Sequence, residues 1–142
     1  MRTLFIDTNV LYDVLGKREP FYDSSNTVWS LCEKGKVKGL ISVISFNNIY
    51  YVTRRFTNRI DAKKKISIVR DVFTMVALDE QVINQAIDSD FADFEDAIQY
   101  FSAVRSDADC IITRNKKDFK LSDVPVLSPD EFLSIYQQES AQ

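Results

Sequence analysis

The sequence predicts a three-layer α/β/α protein in which helices cover both faces of a parallel sheet of four to five strands. Short apolar runs alternate with longer segments whose apolar residues recur at helical spacing, a pattern typical of strands joined by helices. The runs are apolar throughout, which indicates strands buried on both faces. The 142 residues include three glycines and three prolines, so they fit one folded domain, predicted over 1–136 with a polar tail at 137–142.

Five apolar runs are predicted to form the strands. Each is short, and each is followed by residues that can begin a helix or a turn. The predicted strands are 2–6, 40–44, 74–78, 109–113 and 125–127.

Helices are predicted between these strands, from apolar residues at helical spacing and from residues that cap helix N-termini. The last one has a proline in its first turn, which is a frequent position for proline. Four helices are predicted to begin at Asp7, Ser45, Asp61 and Ser128. Three more are predicted to span 21–33, 79–88 and 93–104.

The chain contains no histidine, and this excludes several classes of catalytic site. A Ser-His-Asp triad, a Cys-His dyad, a histidine-based acid–base ribonuclease and a Cys/His zinc site all need that residue. Any catalysis must therefore use carboxylates, lysines or metal ions. Cys32 and Cys110 lie far apart in apolar surroundings, so both are predicted to be buried free thiols.

Charge is distributed unevenly along a chain of formal net charge −3. Residues 54–70 hold seven basic residues and one acid, whereas residues 88–96 hold five acids and no base. No run of about 18 apolar residues is present, and Asp7 interrupts the N-terminal run, so neither a membrane span nor a signal peptide is predicted. We expect a cytoplasmic protein with an acidic centre beside a basic flank.

Candidate site residues follow from the fold, because sheets of this kind place their sites beyond the carboxyl ends of the strands. Asp7 directly follows the first strand, where a carboxylate must be solvated, cap a helix or bind a cation. Asp93 and Asp96 share one face of a predicted helix, so they repel each other without a cation, although the helix dipole stabilises both. Helix capping and cation binding therefore both remain open for these three residues.

The segment after the fourth strand is the second candidate region. Thr113, Asn115 and Asp118 lie there, either as part of the same site or as an ordinary polar loop. Other sites with an aspartate after the first strand fit less well: a phosphatase of the HAD type needs a DxD motif, whereas this chain has Asp7-Thr8-Asn9. A receiver-domain phosphorylation site and a Gly-rich phosphate loop are not evident either.

Four segments taken together resemble a known family. FIDTNVLYDVL, ISVISFNNIYYVTRR, DFEDAIQYFSA and ADCIITRNKKDF are similar, in this order and spacing, to the successive motifs of the PIN-domain family, in the branch of VapC-like toxins. The resemblance covers about residues 1–130. It implies a Rossmann-like sheet and a metal-dependent endoribonuclease, with three or four acidic residues around Mg²⁺ or Mn²⁺.

The resemblance implies particular roles for the site residues. Asn48 stands where the family often has a glutamate, and an amide brings no charge and cannot act as a base. The implied catalytic residues are Asp7, Asn48, Asp96 and Asp118. The implied metal ligands are Asp7, Asp93, Asp96 and Asp118 or Asn115, surrounded by Thr8, Asn9 and Thr113, which would orient them.

The resemblance also implies partners. An RNA substrate would be bound by basic residues, although a solvated helix face is the more frequent meaning of a charge run. A cognate antitoxin and a homodimer are further expectations, and the alternative function is a catalytically impaired PIN-like module that binds RNA or protein. The predicted RNA-binding residues are Arg54, Arg55, Lys63, Arg114 and Lys116. Aromatic residues that could line a partner surface or the core are Tyr12, Phe21, Tyr22, Tyr50, Tyr51 and Phe56.

Overall fold

The computed structural model describes residues 1–141 and confirms the predicted three-layer α/β/α architecture. The strands are β1 (Thr3–Ile6), β2 (Lys38–Ser42), β3 (Thr74–Val76), β4 (Cys110–Ile112) and β5 (Val126–Leu127). The helices are α1 (Thr8–Leu15), α2 (Tyr22–Glu33), α3 (Val43–Phe56), α4 (Arg59–Val72), α5 (Glu80–Ile87), α6 (Phe94–Arg105) and α7 (Pro129–Ser140), with a short 3₁₀ helix at Lys116–Phe119.

All neighbouring strands of the sheet are parallel, in the order β3-β2-β1-β4-β5. The chain builds outward from β1 to β3 and then crosses back to place β4 on the other side of β1. This reversal of order makes a crevice beyond the carboxyl ends of β1 and β4, where sheets of this class bind their ligands. Ile6 pairs with Ile112 in this register, so the residues that follow the two strands lie side by side.

The core lies on both faces of the sheet, because successive side chains of a strand point to opposite sides. Leu4 and Ile6 pack into one cluster with residues of α1, α2, α4 and α7, and the ring of Trp29 meets that of Phe73 there at 4.9 Å in an edge-to-face arrangement. Phe5 belongs to a second cluster, with residues of α6 and the 3₁₀ helix. The continuous apolar character of the strands follows from this two-sided burial.

Both cysteines contribute to the first of these clusters as buried free thiols. Burial raises the pKa of Cys32 to about 12 and that of Cys110 to about 11. Both side chains therefore act as apolar packing groups rather than as thiolates at neutral pH.

Two predicted helix caps are wrong by three residues. Ser42, not Ser45, caps α3, because β2 ends at Ser42 and its hydroxyl accepts a hydrogen bond from the Ile44 amide at 3.3 Å. Asn58, not Asp61, caps α4, and its Oδ1 accepts from the Asp61 amide at 2.8 Å. Ser128 is confirmed as the cap of α7 and forms a capping box.

The predicted C-terminal tail is also shorter than expected. Residues 137–140 continue α7 rather than forming a polar tail, and Glu139 within them forms an ion pair with Arg2. The polar composition that suggested a tail is that of an exposed helix face. Gln142 lies outside the described residues. Within residues 1–141, no helix combines the length and the hydrophobicity needed to span a lipid bilayer.

Candidate functional site

Asp7 occupies the N-cap position of α1, but its side chain makes no capping hydrogen bond. The carboxylate is 5% exposed, and its Oδ2 accepts a 2.7 Å hydrogen bond from the Thr113 hydroxyl. Burial raises the pKa of Asp7, and hydrogen bonds from the Thr113 and Gln99 side chains oppose that rise without cancelling it. The sequence left helix capping and cation binding open for Asp7. The structure shows no capping hydrogen bond from its side chain.

Thr113 is the polar centre of this edge of the sheet. It is fully buried just after β4, and besides donating to Asp7 it accepts hydrogen bonds from Asn9 Nδ2 at 3.3 Å and from the Asn115 amide at 3.1 Å. Thr113 thus joins α1 to the loop that follows β4. Thr8 makes a separate contact, because its hydroxyl lies 2.7 Å from that of Ser45 at the start of α3.

Asp93 and Asp96 have different environments, although both lie at the start of α6. Asp93 is exposed and caps the helix, with Oδ1 accepting from the Asp96 amide at 3.0 Å. Asp96 is half-buried, and burial together with the charges of Asp7, Asp93, Asp118 and Glu95 raises its pKa to about 7. Asp93 therefore acts as the helix cap, whereas Asp96 is the residue whose pKa the neighbouring carboxylates raise.

The loop after β4 brings Asp118 toward the same cluster. Asp118 is exposed on the 3₁₀ helix, and its charge acts on Asp96. Asn115 begins that helix without a side-chain capping bond. Both candidates for the fourth ligand therefore lie in the segment that follows β4.

Gln99 and Glu95 are site residues that the sequence analysis missed. Gln99 is 1% exposed on α6, and its Oε1 accepts from the Thr8 amide at 3.2 Å, so it links α6 to the first residue of α1. Glu95 is half-buried, and burial raises its pKa, opposed by hydrogen bonds from Asn48 and Thr8. The spacing of Gln99 three residues after Asp96 on one helix face was the available signal.

The five predicted RNA-binding residues separate into two groups. Arg114 forms an ion pair with the fully buried Asp13, at 2.7 Å between Nε and Oδ2, and Lys116 pairs with Glu131 at 2.9 Å. The charge of each is thus largely offset by a neighbouring acid. The other group is exposed and makes no ion pair within residues 1–141, and it consists of Arg54, Arg55 and Lys63.

The residues of the site fit a hard divalent cation. Their donors are oxygen atoms, the buried Asp7 has no cationic side chain beside it among the described residues, and Asn9 Oδ1 is a buried acceptor without a partner there. Within residues 1–141, no three acidic side chains are spaced to hold one ion together. Mg²⁺ does not require such a cage, because it keeps several waters and binds through one or two carboxylates.

Comparison with known proteins agrees with this geometry. The sequence profile described as PIN domain matches residues 3–117, and the chain belongs to this family. The predicted membership is therefore confirmed. The chain is also similar to the protein named Ribonuclease VapC1 of Aquifex aeolicus (strain VF5), at 28% identity over 137 residues, which cover 91% of this chain and 92% of that protein.

Solved structures of VapBC proteins share this fold. VapBC2 from Rickettsia felis, bound to a DNA fragment from its promoter, superposes with a TM-score of 0.68 at 16% identity, covering 89% of this chain and 97% of that one. DNA-bound VapBC from Salmonella typhimurium gives a TM-score of 0.70 at 14% identity, covering 91% and 99%. At these identities the likeness shows the fold.

Proposed function

We propose that this protein is a metal-dependent endoribonuclease that acts as the toxin of a toxin–antitoxin pair. The observation that carries the proposal is the buried Asp7 carboxylate at the crevice of the sheet, coupled to Asp96 and lacking a cationic side chain among the described residues. The similarity to a protein named as a ribonuclease supports the same reaction class. Phosphodiester hydrolysis without histidine needs carboxylates that position a divalent ion.

Asp7 and Asp96 would hold a Mg²⁺ or Mn²⁺ ion, because they are the most desolvated of the five predicted ligands. Such an ion supplies an activated water and stabilises the charge that develops on the leaving 3′ oxygen. Thr113 fixes the carboxylate of Asp7, while Thr8 and Asn9 orient groups around it. Asn48 is neutral and would contribute through its amide. The further proposed ligands are Asp93, Asp118 and Asn115.

Basic surfaces flank this acidic centre and would bind the RNA backbone. Arg55 lies two helical turns after Asn48 on α3, so it shares a helix face with Asn48 at a separation of about 10 Å along the axis. On the other side, Lys117 and Lys120 line a groove of about 430 Å³ together with Asp118. A phosphodiester strand that follows these cations would pass the carboxylates.

The proposal is tested by incubating the purified protein with a structured RNA pool and Mg²⁺ or Mn²⁺. We expect internal cleavage that EDTA and the double variant Asp7→Asn/Asp96→Asn both abolish. Asp71→Asn is the matched control, because Asp71 is exposed near the amino-terminal end of β3, opposite the site. Circular dichroism of each variant separates loss of the reaction from loss of the fold.

The alternative is a PIN-like module that binds RNA or protein without cutting, and the neutral Asn48 is the observation that favours it. This function predicts RNA binding that neither EDTA nor the double variant changes, with no cleavage under any metal condition. Divalent-ion binding distinguishes the two, because a binding module has no need of a desolvated Asp7 carboxylate.

An antitoxin partner is proposed from the toxin–antitoxin complexes that share the fold. An exposed apolar surface is available on the α3–α4 hairpin, where Tyr51, Phe56 and Ile60 are 56%, 79% and 78% exposed. A groove of about 210 Å³ lies beside Phe56 and is also lined by Tyr12. Sedimentation of the chain alone and with the product of an adjacent gene tests both the antitoxin and the proposed homodimer. A Phe56→Ser variant that binds as wild type would exclude this surface.

A further inference from the structure

A groove of about 310 Å³ lies where the start of α2, the start of α7 and the loop after β4 meet. This α2–α7 groove is at the lower end of the range of about 300–1,000 Å³ for small-molecule sites, so it has room for one small ligand. Apolar and polar side chains share its walls. They include Phe21, Ser24, Ser25, Arg114, Pro129 and Asp130.

The hydroxyl of Ser25 is buried at this groove without a hydrogen-bond partner. Ser25 is 1% exposed near the start of α2, and its Oγ makes no hydrogen bond to any residue among 1–141. Buried hydroxyls in native proteins are nearly always paired, because leaving one unpaired is costly. Since Ser25 lines the groove, a polar ligand bound there would supply the missing partner.

Arg114 and Phe21 form a stacked pair in the wall of the groove. The guanidinium carbon of Arg114 lies 4.5 Å from the centre of the Phe21 ring. Nε and Nη2 of Arg114 donate to the fully buried Asp13 at 2.7 and 3.3 Å, which fixes the guanidinium in place. A guanidinium has five N–H donors, so these two bonds leave three for a ligand.

The α2–α7 groove adjoins the carboxylate site. Arg114 directly follows Thr113, the residue that donates to Asp7. Asp13, which holds Arg114, lies on α1 about 6 Å along the axis from Asn9, and Asn9 donates to Thr113. A nucleic-acid strand with one phosphate at Asp7 can therefore place a neighbouring base in the groove.

The charges around the groove disfavour a phosphate as its ligand. Arg114 is offset by Asp13, and α7 begins with the acids Asp130 and Glu131, which already complement the positive end of its dipole. A ligand without a charge of its own fits this surface better than an anion does. Arg114 offers hydrogen-bond donors, whereas Asp130 offers the carboxylate oxygen that its bond from Ser24 leaves free.

We propose that the α2–α7 groove binds one unpaired guanine base of the RNA substrate, next to the phosphodiester that is cut. Unpaired bases are recognised by stacking on aromatic rings or guanidinium planes and by hydrogen bonds along their edges. Guanine carries the acceptors O6 and N7, for which arginine is the usual partner, and the donor N2–H₂, which suits the carboxylate of Asp130. The inference rests on the proposed function and adds a base preference to it.

The test measures binding of short phosphodiester oligomers built of abasic units, with guanine, adenine, cytosine or uracil at the central position. EDTA prevents cleavage, and fluorescence anisotropy gives the Kd. We expect the guanine oligomer to bind about tenfold more tightly than the fully abasic one, which is the scale of one stacked base. A guanine oligomer that binds no more tightly than the abasic one would overturn the inference, and so would tighter binding of another base.

Variants of the groove connect this binding to its residues. Phe21→Leu keeps an apolar side chain but removes the ring, and Ser25→Ala removes the unpartnered hydroxyl, so each should weaken the guanine oligomer severalfold more than the abasic one. Asp130→Asn should reduce the preference for guanine over adenine. Ser30→Ala is the matched control, because it makes the same change as Ser25→Ala farther along α2, outside the groove, and it should bind as wild type.

Arg114 is kept in every variant, because its ion pair with the buried Asp13 supports the fold. Equal losses for the guanine and abasic oligomers in Phe21→Leu would indicate a general effect on the structure and overturn the assignment to the groove. Cleavage of RNA together with base-independent binding would overturn this inference alone. Guanine-dependent binding without cleavage under any metal condition would contradict the proposed function alone.

Discussion

The hydroxyl of Thr113 donates a 2.7 Å hydrogen bond to Oδ2 of Asp7, across the carboxyl ends of two adjacent parallel strands. The two residues are 106 positions apart in the chain. Their contact fixes the most buried carboxylate of the site to the loop that carries Asp118. Because both residues directly follow paired strands, the register of β1 and β4 sets the orientation of Asp7.

Removing this donor should weaken both the fold and the ion site. Thr113→Val keeps the shape of the side chain but leaves Asp7 Oδ2 and the Asn115 amide without a partner, so we expect a loss of about 1–3 kcal/mol in the free energy of unfolding. Mn²⁺ affinity should fall as well. Thr113→Ser retains the hydroxyl and should stay close to wild type in both measurements, which are urea unfolding and Mn²⁺ titration. Equal losses in the two variants would show that packing, not the hydroxyl, matters.

The contribution of Asp96 to the stability of the metal-free protein should fall as pH rises from 3.8 to about 7. The pKa of Asp96 is raised from 3.8 to about 7, so the folded state binds more protons than the unfolded state between these values. Its stabilising contribution is therefore complete below pH 3.8 and is lost as pH rises through about 7. The raised pKa values of Asp7 and Glu95 act in the same direction.

Asp96→Asn tests this pH dependence. The variant should show a smaller decline between pH 5 and pH 8 in EDTA, and at pH 8 it should be more stable than wild type by about 1–2 kcal/mol, a value reduced because solvent screens the half-exposed carboxyl. The measurement is urea unfolding at four pH values. Identical slopes for the two proteins would exclude Asp96 as the source.

Substituting Arg114 should lower the free energy of unfolding more than substituting Asp13, its partner in the ion pair. Asp13 is fully buried, whereas the Arg114 side chain keeps 23% of its exposure. Arg114→Met leaves a buried carboxylate unpaired and should cost about 3–5 kcal/mol, more than Asp13→Asn, which leaves a guanidinium that can reach water. Lys116→Met, which breaks the exposed pair with Glu131, should cost less than about 1 kcal/mol. Urea unfolding in a double-mutant cycle measures the coupling free energy between Asp13 and Arg114. Additive effects of the two substitutions on the free energy of unfolding would contradict this account.

The basic residues without an ion pair should determine how RNA binding depends on salt. The measurement uses an Asp7→Asn background, which we expect not to cut the RNA. There, the triple variant Arg54→Ser/Arg55→Ser/Lys63→Ser should make the slope of the log binding constant against log salt concentration shallower by about 2, at about 0.7 per phosphate contact. The control is Lys34→Ser/Lys36→Ser/Lys38→Ser, which removes the same charge at the amino-terminal edge of the sheet. Fluorescence anisotropy at several salt concentrations measures both. A similar slope for the two triple variants would indicate diffuse attraction instead of a binding track.

Sequence reasoning was accurate where local patterns decide structure. Apolar runs buried on both faces identified the parallel sheet, and the rule for carboxyl ends of strands identified Asp7 and the loop at Thr113. It was wrong at Ser45 and Asp61, because the end of a strand and the competition among nearby polar residues, rather than residue type alone, decide which one caps a helix. It also treated residues 137–140 as a tail, since composition does not reveal that Glu139 pairs with Arg2.

The sequence alone determined the fold class and the acids that lie beyond the carboxyl ends of the strands, because these depend on hydrophobic periodicity and on the order of elements. Only the tertiary structure decided which side chains meet. Gln99 reaches Thr8 across 91 positions, and Arg114 pairs with Asp13 across 101 positions. Hydrogen bonds and Coulomb interactions act over a few ångströms, so they are set by how α1, α3 and α6 pack against the sheet, and no local pattern encodes that packing.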